Sequence, residues 1–245
     1  MSGNFVDRLM RLAGECGIEI DREKAELLGN FKDEVVEWNN KMNLTALVEE
    51  EQFIKKHIID SLMILKNIDF HQGTKLVDVG TGAGFPGIPV KIMRQDLEVL
   101  LMDSSRKKTE FLKYAVKKLG LKRTDVLCAR AEEAARNIGY REKYDAAVSR
   151  AVSALNTLVE LCLPLVKVEG VFVAMKGEDP EPEIEEAGGA VAVLGGRIRD
   201  VIPYELPGGL RRHLIVVEKI QETPEKFPRR PGIPEKRPLF MKKFP

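Results

Sequence analysis

The sequence predicts an α/β fold: a mostly parallel seven-stranded sheet with an antiparallel hairpin at one edge, preceded by an N-terminal helical extension. Three observations predict it. Apolar residues recur at helical spacing from residue 4 to about residue 70. Short β-branched runs then alternate with helical stretches. The last two of these runs have no convincing helix between them.

In the extension, Phe5, Leu9 and Leu12 mark one apolar stripe, and Leu27, Leu28, Phe31, Val35, Trp38 and Met42 a stronger one. Candidate strands follow at residues 75–79, 98–102, 125–128, 144–149 and 171–176, each leading into a helix-like segment. Such alternation places helices on both faces of a parallel sheet. Residues 197–202 and 213–219 pair as the edge hairpin. From Thr223 onward, prolines at 224, 228, 231, 234 and 238 argue against a helix or a central strand and for an extended arm. The predicted organisation is a helical region over 1–72, a ligand-binding sheet domain over 73–222 and a proline-rich basic arm over 223–245.

The 245 residues suffice for one large core. No apolar run approaches the ~20 residues of a membrane span, and the charged N-terminus does not read as a secretory signal. Cys16, Cys128 and Cys162 are too few and too scattered for a disulfide framework or a metal knuckle, so no metal is expected and a cytoplasmic location is. The net charge of +1 conceals a polarised distribution. Between residues 104 and 123, eight basic residues face the single acid Glu110, whereas acids gather over 178–186. Basic residues also predominate from Lys219 to the end, which gives two basic patches.

The run KLVDVGTGAGFPGIPVKI leaves a strand, turns through Gly80, Gly82 and Gly84, and enters a helix near Pro86 to Pro89. Gly82, Gly84 and Gly87 match the dinucleotide pattern GxGxxG, which alone is weak. Pyrophosphate sites use free amides at a helix N-terminus, and Pro86 and Pro89 delete two of them. Asp78, immediately before the loop, would oppose phosphate but attract the amino group of a methionine moiety. Asp103 ends the next strand, placed to accept from both ribose hydroxyls, and Glu132, beside Ala131, is placed to accept from an adenine amino group. The loop therefore predicts S-adenosyl-L-methionine as cofactor, ahead of a nicotinamide.

With WNNKMNLTA from Trp38, KHIIDSL from Lys56, VDVGTGAGFPGIPVKI from Val77, DSSRKKTEFL from Asp103, RAEE from Arg130, SRAV from Ser149, LPLVKVEG from Leu163 and KFPRRPGIPEKRPL from Lys226, nearly the whole chain resembles the bacterial small-subunit ribosomal RNA methyltransferase family called RsmG, or glucose-inhibited division protein B. The resemblance implies a Rossmann-like class I methyltransferase fold. It also implies methyl transfer to N7 of one guanine in 16S rRNA, with S-adenosyl-L-homocysteine as product. The cofactor contacts it implies are Gly80, Phe85, Asp103, Ser104, Ser105, Ala131, Glu132 and Arg150.

Guanine N7 offers an in-plane lone pair, so positioning can supply the catalysis without a general base. The family transfers no agreed catalytic residue; the positioning candidates are Arg150, His57 and Asn39. His57 and Asp60 share a helical face, and Asn39, Asn43 and Thr45 either meet the base or cap a helix. Arg106, Lys107, Arg229 and Arg230 are the RNA-binding candidates. The expected partner is 16S rRNA, in the small ribosomal subunit or an assembly intermediate, with no membrane and no obligate protein partner. Competing readings are a methyltransferase on another RNA atom or a small molecule, a nicotinamide-dependent oxidoreductase, and a catalytically silent assembly factor.

Overall fold

The computed structural model describes residues 2–239 and contains the predicted seven-stranded sheet. The strands are β1 (Lys75–Val79), β2 (Glu98–Asp103), β3 (Thr124–Cys128), β4 (Tyr144–Arg150), β5 (Val166–Lys176), β6 (Gly196–Leu206) and β7 (Leu210–Lys219). Their order is β3-β2-β1-β4-β5-β7-β6. β1 to β5 run parallel, β7 is antiparallel to β5, and β6 pairs antiparallel with β7 as the outermost strand.

The helices are α1 (Ser2–Glu15), α2 (Arg22–Asn39), α3 (Glu50–Phe53), α4 (Asp60–Asn67), α5 (Gly87–Met93), α6 (Arg106–Lys118), α7 (Ala131–Ala134), α8 (Leu155–Cys162), α9 (Glu181–Val193) and α10 (Ile233–Lys236). Side chains alternate across the strands, so each face carries its own apolar layer. Leu76, Leu101, Val148, Val173 and Val216 pack with α1, α2, α4, α5 and α6. Val77, Val79, Met102, Phe172 and Val217 pack with α7, α8 and α9. The N-terminal stripes read from sequence join the first layer, where Leu9, Leu28, Phe31 and Val35 are fully covered and Leu27, Trp38 and Met42 half-buried. Each fully covered side chain contributes about 1.5–3 kcal/mol by leaving water.

Two expectations need correction. The extension is not continuously helical in α form: residues 40–49 form a loop, and Ile54–Ile59 is a π-helical segment between α3 and α4. The proline-rich arm also contains a helical turn, α10, entered from Gly232 at φ 77° with a proline in its first turn. Proline's fixed φ suits that position, so proline content here starts a turn rather than forbidding it. The arm lies on the body of the protein. Arg141 donates to the carbonyls of Thr223 and Phe227, Arg136 to that of Pro228, and Thr157 to that of Pro234. The last six residues assigned to the arm, 240–245, lie outside the described residues.

Candidate functional site

The glycine loop joins β1 to α5 at the carboxyl edge of the sheet. Five of its amides are spent internally: Gly80 and Thr81 donate to the Met102 carbonyl, Gly82 to Asp103, and Gly84 and Phe85 to the Thr81 carbonyl. At the start of α5, Gly87 donates to Asp78 and Ile88 to the Gly84 carbonyl, while Pro89 has no amide hydrogen. None of these groups is free to receive a pyrophosphate, which is what the two prolines suggested. Gly82, at φ 61°, has open space where a side chain would begin. Gly87 is needed for another reason, because a Cβ there would stand 2.4 Å from Leu101 and 2.8 Å from Asp78.

Asp78 has a different task from the one its position suggested. It is fully buried, and its Oδ2 accepts from the Thr81 hydroxyl at 2.5 Å and the Gly87 amide at 2.7 Å, so it fastens both ends of the loop. Strand alternation explains this: Val79 and Gly80 line the crevice described next, and Asp78 points to the opposite face. Burial raises its pKa to about 6, against the lowering effects of those hydrogen bonds and of Arg150.

The first crevice, of about 130 Å³, lies above β1 and β2. Gly80, Met102, Asp103, Ala131, Glu132 and Val152 line it, with Ser104 at its rim. Asp103 Oδ2 accepts from Gly82 N at 3.0 Å and Oδ1 from Ser105 N at 2.8 Å. Each oxygen has capacity for one further donor, which fits a vicinal diol. Ser105, rather than Asp103, is the N-cap of α6. Glu132 is 4% exposed, and its Oε1 accepts from Gly232 N at 2.8 Å, which brings the arm to the rim, where Glu235 also lines the crevice.

The second crevice, of about 470 Å³, is lined by Lys56, His57, Asp60, Arg150, Tyr204 and Arg212 among others. Arg150 organises it. Its Nη1 donates to the Lys56 carbonyl at 2.8 Å and to Asp60 at 3.0 Å, its Nη2 donates to His57 Nδ1 at 3.1 Å, and the guanidinium lies over the Phe85 ring. Because a guanidinium can only donate, His57 Nδ1 must accept, which leaves the ring proton on Nε2 to donate to Thr45 Oγ1 at 2.8 Å. Tyr204 donates to the other Asp60 oxygen at 2.7 Å. Phe85 stacks on His57 with ring centres 4.4 Å apart, so its side chain serves this network and the core, while its backbone belongs to the loop. Sequence reasoning missed Tyr204 and the π-helical segment that carries His57, a type of distortion frequent at functional sites.

Burial, and secondarily the Arg150 charge, lower the His57 pKa from 6.5 to about 3. Between those values the unfolded chain binds a proton that the folded one refuses. Stability from neutral His57 is therefore present above pH 6.5 and lost as pH falls toward 3. Urea midpoints should fall between pH 7 and pH 5, and fall less for His57→Asn. Parallel pH profiles for the two proteins would count against the buried neutral imidazole.

The remaining predicted residues divide. Asn39 caps its own loop, its Oδ1 accepting from the Leu44 and Thr45 amides, so it does not reach the second crevice. Arg106 is exposed and paired with Glu110, and Lys107 is exposed one residue further on. Arg229 corrects its expectation: it is tied through both Nε and Nη2 to the fully buried Glu160, not free to reach a phosphate. Arg230 is exposed.

Residues 24–214 match the family model described as rRNA small subunit methyltransferase G. Curated relatives called ribosomal RNA small subunit methyltransferase G include one from Acetivibrio thermocellus, 47% identical with 94% of this chain and 95% of the relative covered. Another, from Clostridium botulinum strain Okra, is 42% identical, with 96% and 99% covered. Among solved structures, a SAM-dependent methyltransferase from Aquifex aeolicus is similar at TM-score 0.50 and 20% identity, covering 69% of this chain and 94% of that one. TrmN from Thermus thermophilus is similar at TM-score 0.53 and 18% identity, covering 66% and 48%. At these identities the structural likeness speaks for the fold.

Proposed function

This chain belongs to the rRNA small subunit methyltransferase G family, and from that premise we propose that it methylates N7 of a guanine in 16S rRNA of the small ribosomal subunit, using S-adenosyl-L-methionine. One observation carries the reading: consecutive residues Ala151 and Val152 open onto different crevices, so a single turn after β4 separates a nucleoside-type site from a basic one.

The first crevice fits the cofactor by its donor set. Asp103 has an acceptor position left on each oxygen, Met102, Val152 and Leu161 supply apolar walls, Glu132 stands among them, and Gly82 leaves open space above the loop. When bound, S-adenosylmethionine supplies a sulfonium-activated methyl group that a neutral nitrogen lone pair can accept.

The second crevice suits a base that needs no deprotonation. His57 is held neutral with both ring nitrogens engaged, and Asp60 is committed to Arg150 and Tyr204, so neither is offered as a proton acceptor. Arg150 retains unspent N–H donors, suited to the O6 acceptor on the guanine edge that carries N7. The chain's contribution is then orientation and exclusion of water.

Small subunits lacking the modification, incubated with methyl-labelled cofactor and digested to nucleosides, should yield one 7-methylguanosine per particle. Label on another nucleoside would move the acceptor atom, and binding of particles without any transfer would leave an assembly factor.

A further inference from the structure

The loop of residues 40–47 stands between two crevices and lines both. On one side, Leu47 faces the crevice of Lys56, His57 and Arg150. On the other, residues 39–44 face Ser105, Lys107 and Lys108 across a separate crevice of about 360 Å³. The loop is pinned rather than draped. Asn39 holds the Leu44 and Thr45 amides, and the Thr45 hydroxyl accepts from Leu47 N and meets His57. Its outer side chains, Asn40, Lys41 and Asn43, are exposed.

The lining of this outer crevice contains lysines and side-chain amides and no acid. Lys41 is paired with Glu37 and Arg106 with Glu110, but Lys107 and Lys108 have no carboxylate partner among the described residues. The ammonium groups of Lys107 and Lys108 and the side-chain amides beside them match a phosphodiester, which only accepts hydrogen bonds. Lys41 also lies over the ring of Trp38, which packs on Phe111 of α6 with ring centres 5.5 Å apart.

We propose that residues 39–44, Lys107 and Lys108 form a track for single-stranded RNA that holds the nucleotides next to the target. The pinned loop then separates the target base, in the His57–Arg150 crevice, from its neighbours on the track. Removing a base from its stack is unfavourable, and a pinned divider with binding surface on both sides offsets that cost. The assignment rests on the RNA methyltransferase reading, but the track is testable without transfer.

The test compares Lys107→Gln/Lys108→Gln with Lys117→Gln/Lys118→Gln, which makes the same charge change at the far end of α6. Fluorescence anisotropy would measure binding of a labelled, unstructured RNA of about 12 nucleotides over a potassium chloride series. The track variant should bind about tenfold more weakly, with a salt slope shallower by about 1.4 for two lost phosphate contacts. It should also raise KM for unmodified small subunits, with adenosylhomocysteine affinity by calorimetry unchanged. The far-end variant should match the parent protein. Equal weakening by both variants would reduce the effect to general charge, and no weakening by either would remove the track. If no protein transfers methyl groups, the methyltransferase reading fails while the anisotropy comparison still decides the track.

Discussion

Arg150→Lys is expected to lower kcat/KM for small subunits by about 10²- to 10³-fold, the range for loss of one preorganised donor. The charge survives this change, but the fork does not. One ammonium on a flexible stem cannot engage the Lys56 carbonyl, Asp60 and His57 at once, as Nη1 and Nη2 do, nor lie flat over Phe85. The loss should fall on the chemical step, and adenosylhomocysteine affinity should change little. Arg150→Met asks the harder question, since it leaves the buried Asp60 without its cation, at a cost of about 3–5 kcal/mol in stability. Tyr204→Phe serves as a milder control, removing one hydrogen bond to Asp60 while Arg150 stays. Wild-type turnover in Arg150→Lys, with full folding shown by its urea midpoint, would remove Arg150 from the positioning role.

What was legible in the sequence follows from how local each signal is. β1 was read at its observed boundaries because a β-branched run there abuts a glycine turn, and local chain chemistry decides both. The two prolines argued against a phosphate cradle because a missing N–H is a property of the residue alone, whereas the internal bonding of the Gly84, Phe85, Gly87 and Ile88 amides left no sequence signal. Asp78 was placed near the ligand by sequence adjacency, whereas strand alternation sends its side chain to the other face; counting parity from Val77 and Val79 would have shown it. The π-helical segment was not legible, because IKKHII satisfies an α pattern equally well. Contacts such as Tyr204 with Asp60, 144 residues apart, depend on β6 folding back over α4 and leave no periodic trace. The same holds for Arg229, whose surroundings of proline and charge resemble those of a solvated tail until Glu160 is found beneath it.

Breaking that pair is the second change expected to matter. Glu160 sits on α8 with its side chain wholly buried, and its two oxygens take the Arg229 backbone amide, Nε and Nη2. Arg229→Met abandons a carboxylate in a dry environment and should cost about 3–5 kcal/mol, read from urea denaturation. Glu160→Leu combined with Arg229→Met removes both charges, and much of that stability should return, because replacing an entire buried pair with apolar groups is often neutral. The arm reaches the first crevice three residues later through Gly232 and Glu132, with Glu235 at the rim. Loosening it at Arg229 should therefore also weaken adenosylhomocysteine binding, and the double variant should recover affinity to the extent that it restores the arm's seating. A single variant that loses less than about 1 kcal/mol, within the range of an exposed pair, would mean that Glu160 is hydrated and that the arm is held mainly by Arg136 and Arg141.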